Sequence, residues 1–420
     1  MSEIKDKEGK KVVRLICVTG ENNNKFYNMT QINENEFVAE WGRVEGSVET
    51  KTYPMSKWDS TYKSKTRSSK KPMPYTDVTH LHAEVTSSKG STMFHSERPK
   101  DVVKFVENLM RMAKESVERN YVISSQNVTR AQVEEAQELL NKISALLSKG
   151  QDSKEINDLL LELYKVIPRK MKKVQDHLIQ QTEIKTNSDL KMAKRIFSDE
   201  QDALDVMSGQ VAMNVQNSEE DDEEEFDVLE SASLEAYECS PAEIEMIKSK
   251  MGPKARQFVR AIRVRNRATE DRFNKFVKSA TNKKTDLLWH GSRNENWWSI
   301  FQQGLKIRPS NAVYTGSMFG DGCYFADKAQ KSIGYTSLSG SYWAGGSAKN
   351  AVLALYEIHQ GKQLEILNWK NEYSRLDEGT MKKRGCDSVF AKGGADLRNN
   401  EYITYNTDQS TIRYLVEISK

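Results

Sequence analysis

The sequence predicts a multidomain α+β protein, and three observations support this fold class. The chain has 420 residues, which exceeds the usual length of a single domain. Strand-like runs begin the chain, helical periodicity follows, and strands mixed with helices occupy the C-terminal half. A run of seven consecutive acids, "EEDDEEE", marks a boundary between the helical region and the C-terminal half.

Composition favours a water-soluble protein inside the cell. Hydrophobic residues make up 37% of the chain and charged residues 29%, and the net charge is +3. No apolar run approaches the roughly 20 residues needed to cross a bilayer, so we expect no membrane contact. The N-terminal "MSEIKDKEGKK" has no apolar signal core. The four cysteines form no C-x-x-C pair, so we expect reduced thiols and no metal site.

Residues 1–98 predict a small antiparallel sheet. The runs "KVVRLICVT", "KFYNMTQI", "EFVAEWGRV" and "VETKTY" are rich in β-branched and aromatic residues. Asparagine and glycine clusters separate the first runs, as in "GENNN", and such clusters are typical of turns. "MSKWDSTYKSKTRSSKK" then predicts a short helix with a basic end.

Residues 99–212 predict an all-α bundle. Apolar residues recur at helical spacing, and the first set is Val102, Phe105, Val106, Leu109 and Met112. Thr129 and Gln132 form a T-x-x-Q capping box at the start of a second helix. A third helix ends near Pro168, and two or three further helices are expected up to about residue 212.

Residues 213–227 predict a disordered acidic linker, because consecutive acids repel one another and bury no core. It is also a candidate for automodification, with Ser218, Ser231 and Ser233 nearby. Residues 228–420 predict an α+β domain. "PAEIEMIKSKM" and "PKARQFVRAIRVRNRATEDRFNKFVKSA" favour helices, and strands with glycine turns follow from Leu287.

Three motifs in the last domain carry candidate chemistry. "LLWHGSR" places His290 at the end of an apolar strand, directly before a glycine. "MFGDGCYFAD" and "KSIGY" contain Tyr324, Ser332 and Tyr335. "NEYITY" begins a β-rich run with Glu401. Each residue alone is equally compatible with a hydrogen-bonded polar side chain on a sheet.

Together, in this order, the motifs resemble the catalytic domain of the poly(ADP-ribose) polymerase family. The resemblance extends to the other regions. "AEWGRVEG" is similar to the Trp-Gly-Arg motif of the WGR domain, and "AQVEEAQELLNKI" to the family's helical regulatory domain. It implies a WGR domain at 1–98, a regulatory bundle at 99–212 and an ADP-ribosyltransferase domain with a split antiparallel sheet at 228–420.

The resemblance also implies roles for individual residues. His290, Tyr324 and Glu401 would form the catalytic set, and NAD+ would be the substrate. His290 would bind a ribose hydroxyl, Gly291 and Ser332 the carboxamide, and Tyr335 the nicotinamide ring. The remaining implied NAD+ contacts are Ser292, Asn296 and Lys331.

These residue types suit the chemistry of cleaving NAD+. When nicotinamide leaves as a neutral molecule, positive charge develops on the ribose, as in glycoside cleavage. A carboxylate such as that of Glu401 stabilises this charge and can orient the incoming hydroxyl. Two departures from the family concern Lys306, where arginine is frequent, and Asp321, where lysine is frequent. The short segment "CDSVFAKGGADLRNN" lies where the acceptor-side loop would be, so chain elongation is less strongly implied than NAD+ cleavage.

The N-terminal domain is expected to bind DNA breaks that carry a 5′ phosphate. The candidate residues are Trp41, Arg43, Lys63, Lys65 and Arg67, with Lys70 and Lys71 beyond them. Cationic side chains of this kind contact phosphates without reading sequence. The alternatives are a buried tryptophan beside a turn, and a solvated basic tail or nuclear import signal.

The resulting hypothesis is a monomeric, DNA-break-stimulated ADP-ribosyltransferase. It would modify itself and nearby proteins with poly(ADP-ribose), and the family's bundle would block NAD+ access until DNA binds. It would act in the nucleus of a eukaryote, or otherwise in the cytoplasm or nucleoid. The alternatives are a mono-ADP-ribosyltransferase acting on protein or nucleic-acid ends, and a catalytically inactive scaffold that binds DNA ends.

Overall fold

The computed structural model describes most of the chain. The described residues are 9–67, 73–82, 98–122, 128–149, 153–181, 184, 186–218, 227–307, 318–342 and 344–420. Lys70, Lys71 and the acidic run 219–225 lie outside them. The chain divides into two compact units. Of the described residues, the first unit holds those within 9–82 and 116–218, and the second holds those within 98–115 and 227–420.

The first unit begins with a five-stranded antiparallel sheet in the order β4-β3-β2-β1-β5. Its elements are β1 (Val12–Thr19), β2 (Asn23–Gln31), β3 (Glu36–Arg43), β4 (Val48–Pro54), α1 (Trp58–Thr66) and β5 (Thr76–Asp77). Buried Phe37 packs edge-on against Trp58, with 5.0 Å between ring centroids, so α1 is anchored on the sheet by aromatic contact. The four predicted strands and the helix are confirmed.

Among the described residues, four α-helices occupy the region of the predicted bundle, but the division into two units falls within the first of them, so its residues 100–115 belong to the second unit. They are α2 (Lys100–Asn120), α3 (Arg130–Lys149), α4 (Ser153–Val166) and α5 (Asn187–Ser218). The predicted capping box is confirmed, because the Gln132 backbone N–H donates to Thr129 Oγ1 over 3.2 Å and Gln132 Oε1 accepts from the Thr129 N–H over 3.0 Å. Val102, Phe105, Val106 and Leu109 are buried as their spacing predicts.

The last helix of this region differs from the sequence prediction in two ways. One 32-residue helix, α5, stands where we expected two or three short ones. It continues to Ser218, so the first six residues of the predicted linker are helical. Their sequence, "MNVQNS", contains no proline, glycine or acid, and the acidic run begins only at Glu219.

Within the first unit, the sheet and the bundle are joined by hydrogen bonds. Asn22 Oδ1 accepts from the backbone N–H of Val174 over 3.0 Å, and Thr129 Oγ1 donates to the Leu81 carbonyl over 2.6 Å. The same unit contains a buried ion pair, with 2.9 Å between Arg169 Nε and Glu200 Oε2. Because both side chains are less than 8% exposed, each charge depends on the other for compensation.

The second unit contains two sheets. The five-stranded sheet is antiparallel in the order β6-β7-β14-β10-β8. The four-stranded sheet has the order β11-β12-β13-β9, with one parallel pair between β11 and β12. The strands are β6 (Leu234–Glu238), β7 (Phe258–Asn266), β8 (Thr285–Gly291), β9 (Cys323–Phe325), β10 (Asn350–His359), β11 (Gln363–Ile366), β12 (Ser388–Ala391), β13 (Glu401–Thr404) and β14 (Ser410–Ser419). The mixed α+β class with a split sheet is thus confirmed.

Short helices connect these strands. They are α6 (Val228–Ser231), α7 (Pro241–Met251), α8 (Arg267–Ser279), α9 (Trp297–Gln303), α10 (Ala329–Ile333) and α11 (Glu378–Lys383). The prediction of helix across residues 258–266 is wrong, because β7 occupies them. Alternation was present in the sequence: Ile262 and Val264 are buried while Arg263 and Arg265 are exposed. The segment is rich in alanine and arginine, which are good helix formers, and this composition led to the helix prediction despite the alternation.

An ion-pair ladder follows the arginines of β7, α8 and β14. Its pairs are Arg260–Glu417, Arg263–Glu243, Arg265–Glu235, Arg265–Glu270, Arg267–Glu235, Arg413–Glu270 and Arg413–Glu357. Burial by itself would raise the pKa of Glu235, but hydrogen bonds from Arg267 and Tyr237 outweigh it and lower the pKa below the usual 4.5. The pKa values of Glu243 and Glu270 are lowered in the same way.

The ladder predicts acid sensitivity of the second unit. A carboxyl whose pKa is lowered by folding stabilises the fold above its unfolded pKa, and this stabilisation is lost as pH falls through the folded pKa. We therefore expect the thermal midpoint to fall steeply below about pH 4.5. Glu235→Gln should lower the midpoint at pH 7 and flatten its acid dependence. Exposed Glu365→Gln, the control, should do neither. Equal pH profiles for both variants would contradict the ladder's role.

The described residues contain no helix with the length and apolar character that a bilayer crossing requires.

Candidate functional site

The candidate site forms where the two sheets of the second unit meet. Trp289 at the end of β8 and Ala326 just after β9 exchange two backbone hydrogen bonds of 2.8 and 2.9 Å. This bridge fixes the ends of β8 and β9 beside each other. As a result, His290 of one sheet lies next to Tyr324 of the other, although 34 residues separate them in sequence.

His290 is held in a defined orientation. Its Nδ1 lies 2.9 Å from the Tyr324 carbonyl oxygen, which can only accept, so Nδ1 carries the proton. Trp297, Phe325 and Tyr356 surround the ring, with centroids 5.7 to 6.1 Å away. Burial lowers the pKa of His290. The neutral ring therefore leaves Nε2 as a hydrogen-bond acceptor, suited to a hydroxyl group.

Gly291 follows His290 and lies against Ser332 of α10. A β-carbon on Gly291 would lie only 2.0 Å from the Ser332 carbonyl oxygen, so no side chain fits at this position. The Ser332 residue is 4% exposed, and its hydroxyl has no hydrogen-bond partner within the part of the chain that the structure describes. The close approach thus brings the backbone of α10 at Ser332 directly against the backbone of β8 at Gly291.

Glu401 begins β13 and is 5% exposed. Its carboxylate forms an ion pair with Lys331 of α10, which brings the "KSIGY" and "NEYITY" motifs together. Lys331 Nζ also lies 5.9 Å from the centre of the Tyr335 ring. Burial raises the pKa of Tyr335 to about 12, and the charge of Glu401 adds to this, so its hydroxyl stays neutral.

The backbone of Tyr324 connects the two halves of the site. Its hydroxyl forms hydrogen bonds with the backbone of the turn at Phe319 and Gly320. Its strand, β9, pairs with β13, with Tyr324 opposite Ile403. The hydroxyl donates to the Gly320 carbonyl over 2.8 Å and accepts from the Phe319 N–H over 3.1 Å. Burial raises the pKa of this phenol well above its ordinary value. Its ring position is therefore fixed by the turn that precedes it.

Ser292 and Asn296 lie in the loop after β8. Asn296 Nδ2 donates to Ser292 Oγ over 3.1 Å, and its buried Oδ1 has no partner among the described residues. Asn294, which sequence reasoning did not select, fixes this loop. Its amide nitrogen donates to the Asn350 carbonyl over 3.0 Å, and its oxygen accepts from the Val352 N–H over 3.1 Å.

Asn400 is a second residue that sequence reasoning missed. Its Nδ2 donates to Asp327 Oδ2 over 2.7 Å, and its Oδ1 accepts from the Gly393 N–H over 2.9 Å. These bonds fix the backbone directly before Glu401. Its position next to Glu401 was the available sequence signal. Asp396, from the predicted acceptor-side segment, accepts from the Trp369 backbone N–H over 2.6 Å, which joins that loop to the segment after β11.

In the first unit, the structure brings together two of the predicted DNA-binding residues through Tyr27. Trp41 stacks on the Tyr27 ring at 5.6 Å, and Lys65 Nζ lies 4.2 Å from the same ring centre. The Trp41 side chain is thus half-buried: part of it packs against Tyr27, and part of it remains on the surface. Lys63 and Arg67 are exposed at the end of α1, where the Arg67 N–H donates to the Lys63 carbonyl.

Arg43 is exposed at the end of β3. Its Nη2 donates to Asn22 Oδ1 over 3.2 Å, the same oxygen that accepts from Val174. Asn22 has a φ of +63°, a conformation that asparagine adopts more readily than most residues. Arg43 lies two residues after Trp41 on β3, a spacing that directs both side chains to the same face of the sheet.

The candidate automodification serines differ in environment. Ser231 Oγ donates to the Val228 carbonyl over 3.1 Å within α6, whereas Ser233 is exposed with a φ of +56°. Only the backbone of Ser218 is described, and it ends α5. Modification of these residues stays a prediction.

Comparison with known proteins identifies similar sequences. The family model "Poly(ADP-ribose) polymerase catalytic domain" matches residues 242–420. A protein of Invertebrate iridescent virus 6 with the name "Putative poly [ADP-ribose] polymerase-like 100L" is 38% identical over 154 residues, covering 36% of this chain and 80% of that protein. "Poly [ADP-ribose] polymerase 2" of Zea mays is 26% identical over 472 residues, covering 95% of this chain and 69% of its own.

A third relative is longer than this chain. "Poly [ADP-ribose] polymerase 1" of Gallus gallus is 24% identical over 379 residues, and the match covers 80% of this chain but only 35% of that protein. This chain therefore corresponds to about a third of the chicken protein's length.

Proposed function

This chain belongs to the poly(ADP-ribose) polymerase family and is an NAD+ ADP-ribosyltransferase. From this premise we propose that it builds poly(ADP-ribose) on itself and on nearby proteins when DNA breaks carrying a 5′ phosphate stimulate it. The names of the plant and chicken relatives support polymer formation. We further propose that residues 1–98 form the DNA-binding domain, 99–212 the regulatory bundle, 213–227 the linker and 228–420 the transferase domain.

The observation that carries the catalytic part is the double attachment of β9. This strand is bonded to β8 beside His290 and paired with β13, which begins at Glu401. The connection from β8 through β9 to β13 supports the proposal that the acceptor nitrogen of His290 and the buried carboxylate of Glu401 act on one substrate. Such an arrangement suits a ribose held at one hydroxyl and stabilised at another.

The geometry of each group supports the contact to NAD+ that we propose for it. His290 Nε2 accepts a hydrogen bond from a ribose hydroxyl, because Nδ1 is already committed to Tyr324. The backbone of Gly291 and the hydroxyl of Ser332 bind the carboxamide, whose donor and acceptor they complement. Tyr335 supplies an aromatic face for the nicotinamide ring, and Tyr324 bounds the pocket. Ser292, Asn296 and Lys331 complete it.

The reaction exchanges one bond at the anomeric ribose carbon. The C–N bond breaks, and nicotinamide leaves as a neutral molecule with the bonding electron pair. The acceptor hydroxyl oxygen then forms the new C–O bond and releases its proton. Glu401 accepts a hydrogen bond from a hydroxyl at this centre, and its negative charge stabilises the positive ribose in the transition state. Lys331 neutralises the buried carboxylate while no substrate is bound.

We propose that Arg43 contacts a DNA phosphate and transmits binding to the bundle. It is exposed, yet its partner Asn22 also holds the backbone of Val174 in the bundle region. Trp41 and Lys65 would form the base of the DNA surface, and Lys63 and Arg67 would add charge. The enzyme would work in the nucleus of a eukaryotic cell, or otherwise in the cytoplasm or nucleoid.

Labelled ADP-ribose incorporation tests this proposal. Purified protein is incubated with radiolabelled NAD+, with or without a nicked duplex bearing a 5′ phosphate, and resolved on a gel. A ladder that appears only with DNA is expected. Arg43→Gln should weaken DNA binding and reduce the slope of log K against log salt by about 1, while activity without DNA stays unchanged. Exposed Arg130→Gln is the matched control.

Other outcomes would support the alternatives. A single discrete shift instead of a ladder would indicate mono-ADP-ribosyl transfer. The absence of labelling under both conditions, with intact DNA binding, would indicate a scaffold. Equal activity with and without DNA would contradict break stimulation.

A further inference from the structure

Five lysines on the second unit form what we call the lysine patch. Its members are Lys275, Lys278, Lys283, Lys284 and Lys362, and all five are exposed. Lys275 and Lys278 lie on the last turns of α8. Lys283 and Lys284 follow in the loop before β8, and Lys362 lies between β10 and β11. The patch therefore draws on three segments of the chain.

Hydrogen bonds and a ring contact fix these segments to one another. The backbone N–H groups of Gln360 and Gly361 both donate to the Lys284 carbonyl, over 2.9 and 3.3 Å. The His359 ring lies 5.3 Å from the Phe276 ring of α8. These contacts involve backbone groups, the buried His359 ring and the half-buried Phe276 ring, so they leave the five exposed lysine side chains in solvent.

The patch differs from its surroundings in charge compensation. Arg265, Arg267 and Arg272 of β7 and α8 are each paired with a carboxylate within 4 Å. In the described part of the chain, no carboxylate forms an ion pair with any lysine of the patch. Asp387, the acid nearest to Lys362 in the hydrogen-bond network, accepts from its backbone N–H. The patch is thus a local concentration of unneutralised positive charge.

The patch lies at the opposite end of β8 from the candidate site. β8 begins at Thr285, next to Lys284, and reaches His290 five residues later. At about 3.3 Å per residue, this distance is roughly 17 Å. A ligand on the patch would therefore not occupy the NAD+ pocket, but a flexible chain growing from that pocket could reach it.

We propose that the lysine patch binds poly(ADP-ribose), the product of this enzyme, and retains the growing chain near the site. This inference rests on the proposed function, since it requires polymer formation. The polymer carries two phosphates in every ADP-ribose unit, and it is produced within reach, at a high effective concentration. Lysines are mobile point charges that fit irregularly spaced phosphates on a flexible chain.

A binding assay on the full-length protein tests the patch directly. The patch variant replaces all five lysines by glutamine. The control variant replaces five exposed lysines outside the patch, namely Lys100, Lys104, Lys349, Lys370 and Lys383. The probe is purified, end-labelled poly(ADP-ribose) of defined length, titrated at several KCl concentrations. We expect the patch variant to bind at least tenfold more weakly at 0.15 M salt. Its slope of log K against log salt should be smaller by about 3.

Two readouts separate this inference from the proposed function. In the labelling assay, the patch variant should consume NAD+ at the wild-type initial rate but make shorter chains. If the wild type makes no ladder, polymer formation is wrong and the inference falls with it, whatever the binding assay gives. If the wild type makes a ladder but both variants bind polymer equally, only the patch is wrong. A loss of binding to duplex DNA that exceeds the loss for polymer would also overturn the inference and assign the surface to DNA.

Discussion

Glu401→Gln is expected to lower kcat for ADP-ribose incorporation by about 10²–10³-fold while changing the KM for NAD+ by less than about threefold. The glutamine keeps the size of the side chain and one acceptor oxygen, but it removes the charge. Glu401 is buried, so its charge acts in a medium that screens it weakly. Because positive charge develops only as nicotinamide departs, the loss falls on the transition state.

Steady-state kinetics with radiolabelled NAD+ would measure both constants. The control is Glu365→Gln, since Glu365 is an exposed glutamate on β11 of the same sheet. It should behave as the wild type. A Glu401→Gln enzyme that retains more than a third of the wild-type kcat would contradict the electrostatic role. An equal loss in both variants would indicate damage to the sheet instead of the site.

Glu200→Ala is expected to destabilise the bundle by about 3–5 kcal/mol. Arg169 has Glu200 as its ion-pair partner, and both side chains are almost fully buried. Burial lowers the pKa of Arg169, but the charge and hydrogen bond of Glu200, together with Tyr121 and Tyr164, outweigh burial and raise the pKa, so the arginine stays charged. Removing the carboxylate would leave that charge in the interior, beside the ring of Tyr121 at 4.9 Å.

Thermal unfolding followed by circular dichroism, with hydrogen exchange of α5 peptides, would measure the effect. Glu134→Ala breaks an exposed pair with Arg130 and should cost less than about 1 kcal/mol. If the bundle blocks NAD+ access until DNA binds, as the family resemblance implies, Glu200→Ala should also raise ADP-ribosylation without DNA. A destabilised variant with unchanged basal activity would contradict the restraint but not the ion pair.

The sequence predicted the helices and strands best where one local pattern dominated. In α2, Val102 and Phe105 share a face at helical spacing, and both are buried. β7 was misassigned because alanine and arginine favour helix locally, whereas backbone pairing with β6 on one side and β14 on the other stabilises a strand. Long-range pairing of this kind has no local sequence signature, so the sequence analysis could not detect it. In the folded protein it outweighs the helix preference of the segment.

The sequence by itself determined the family and the α+β class and selected the candidate residues within its motifs, because these depend on short motifs and local periodicity, but it did not select Asn294 or Asn400. Only the tertiary structure decided how those residues meet. The bridge between Trp289 and Ala326, and the ion pair between Lys331 and Glu401, join positions up to 70 residues apart. Likewise, only the fold distinguishes the compensated arginines of β7 from the uncompensated lysine patch, because charge compensation depends on distances in space, which the order of residues along the chain does not specify.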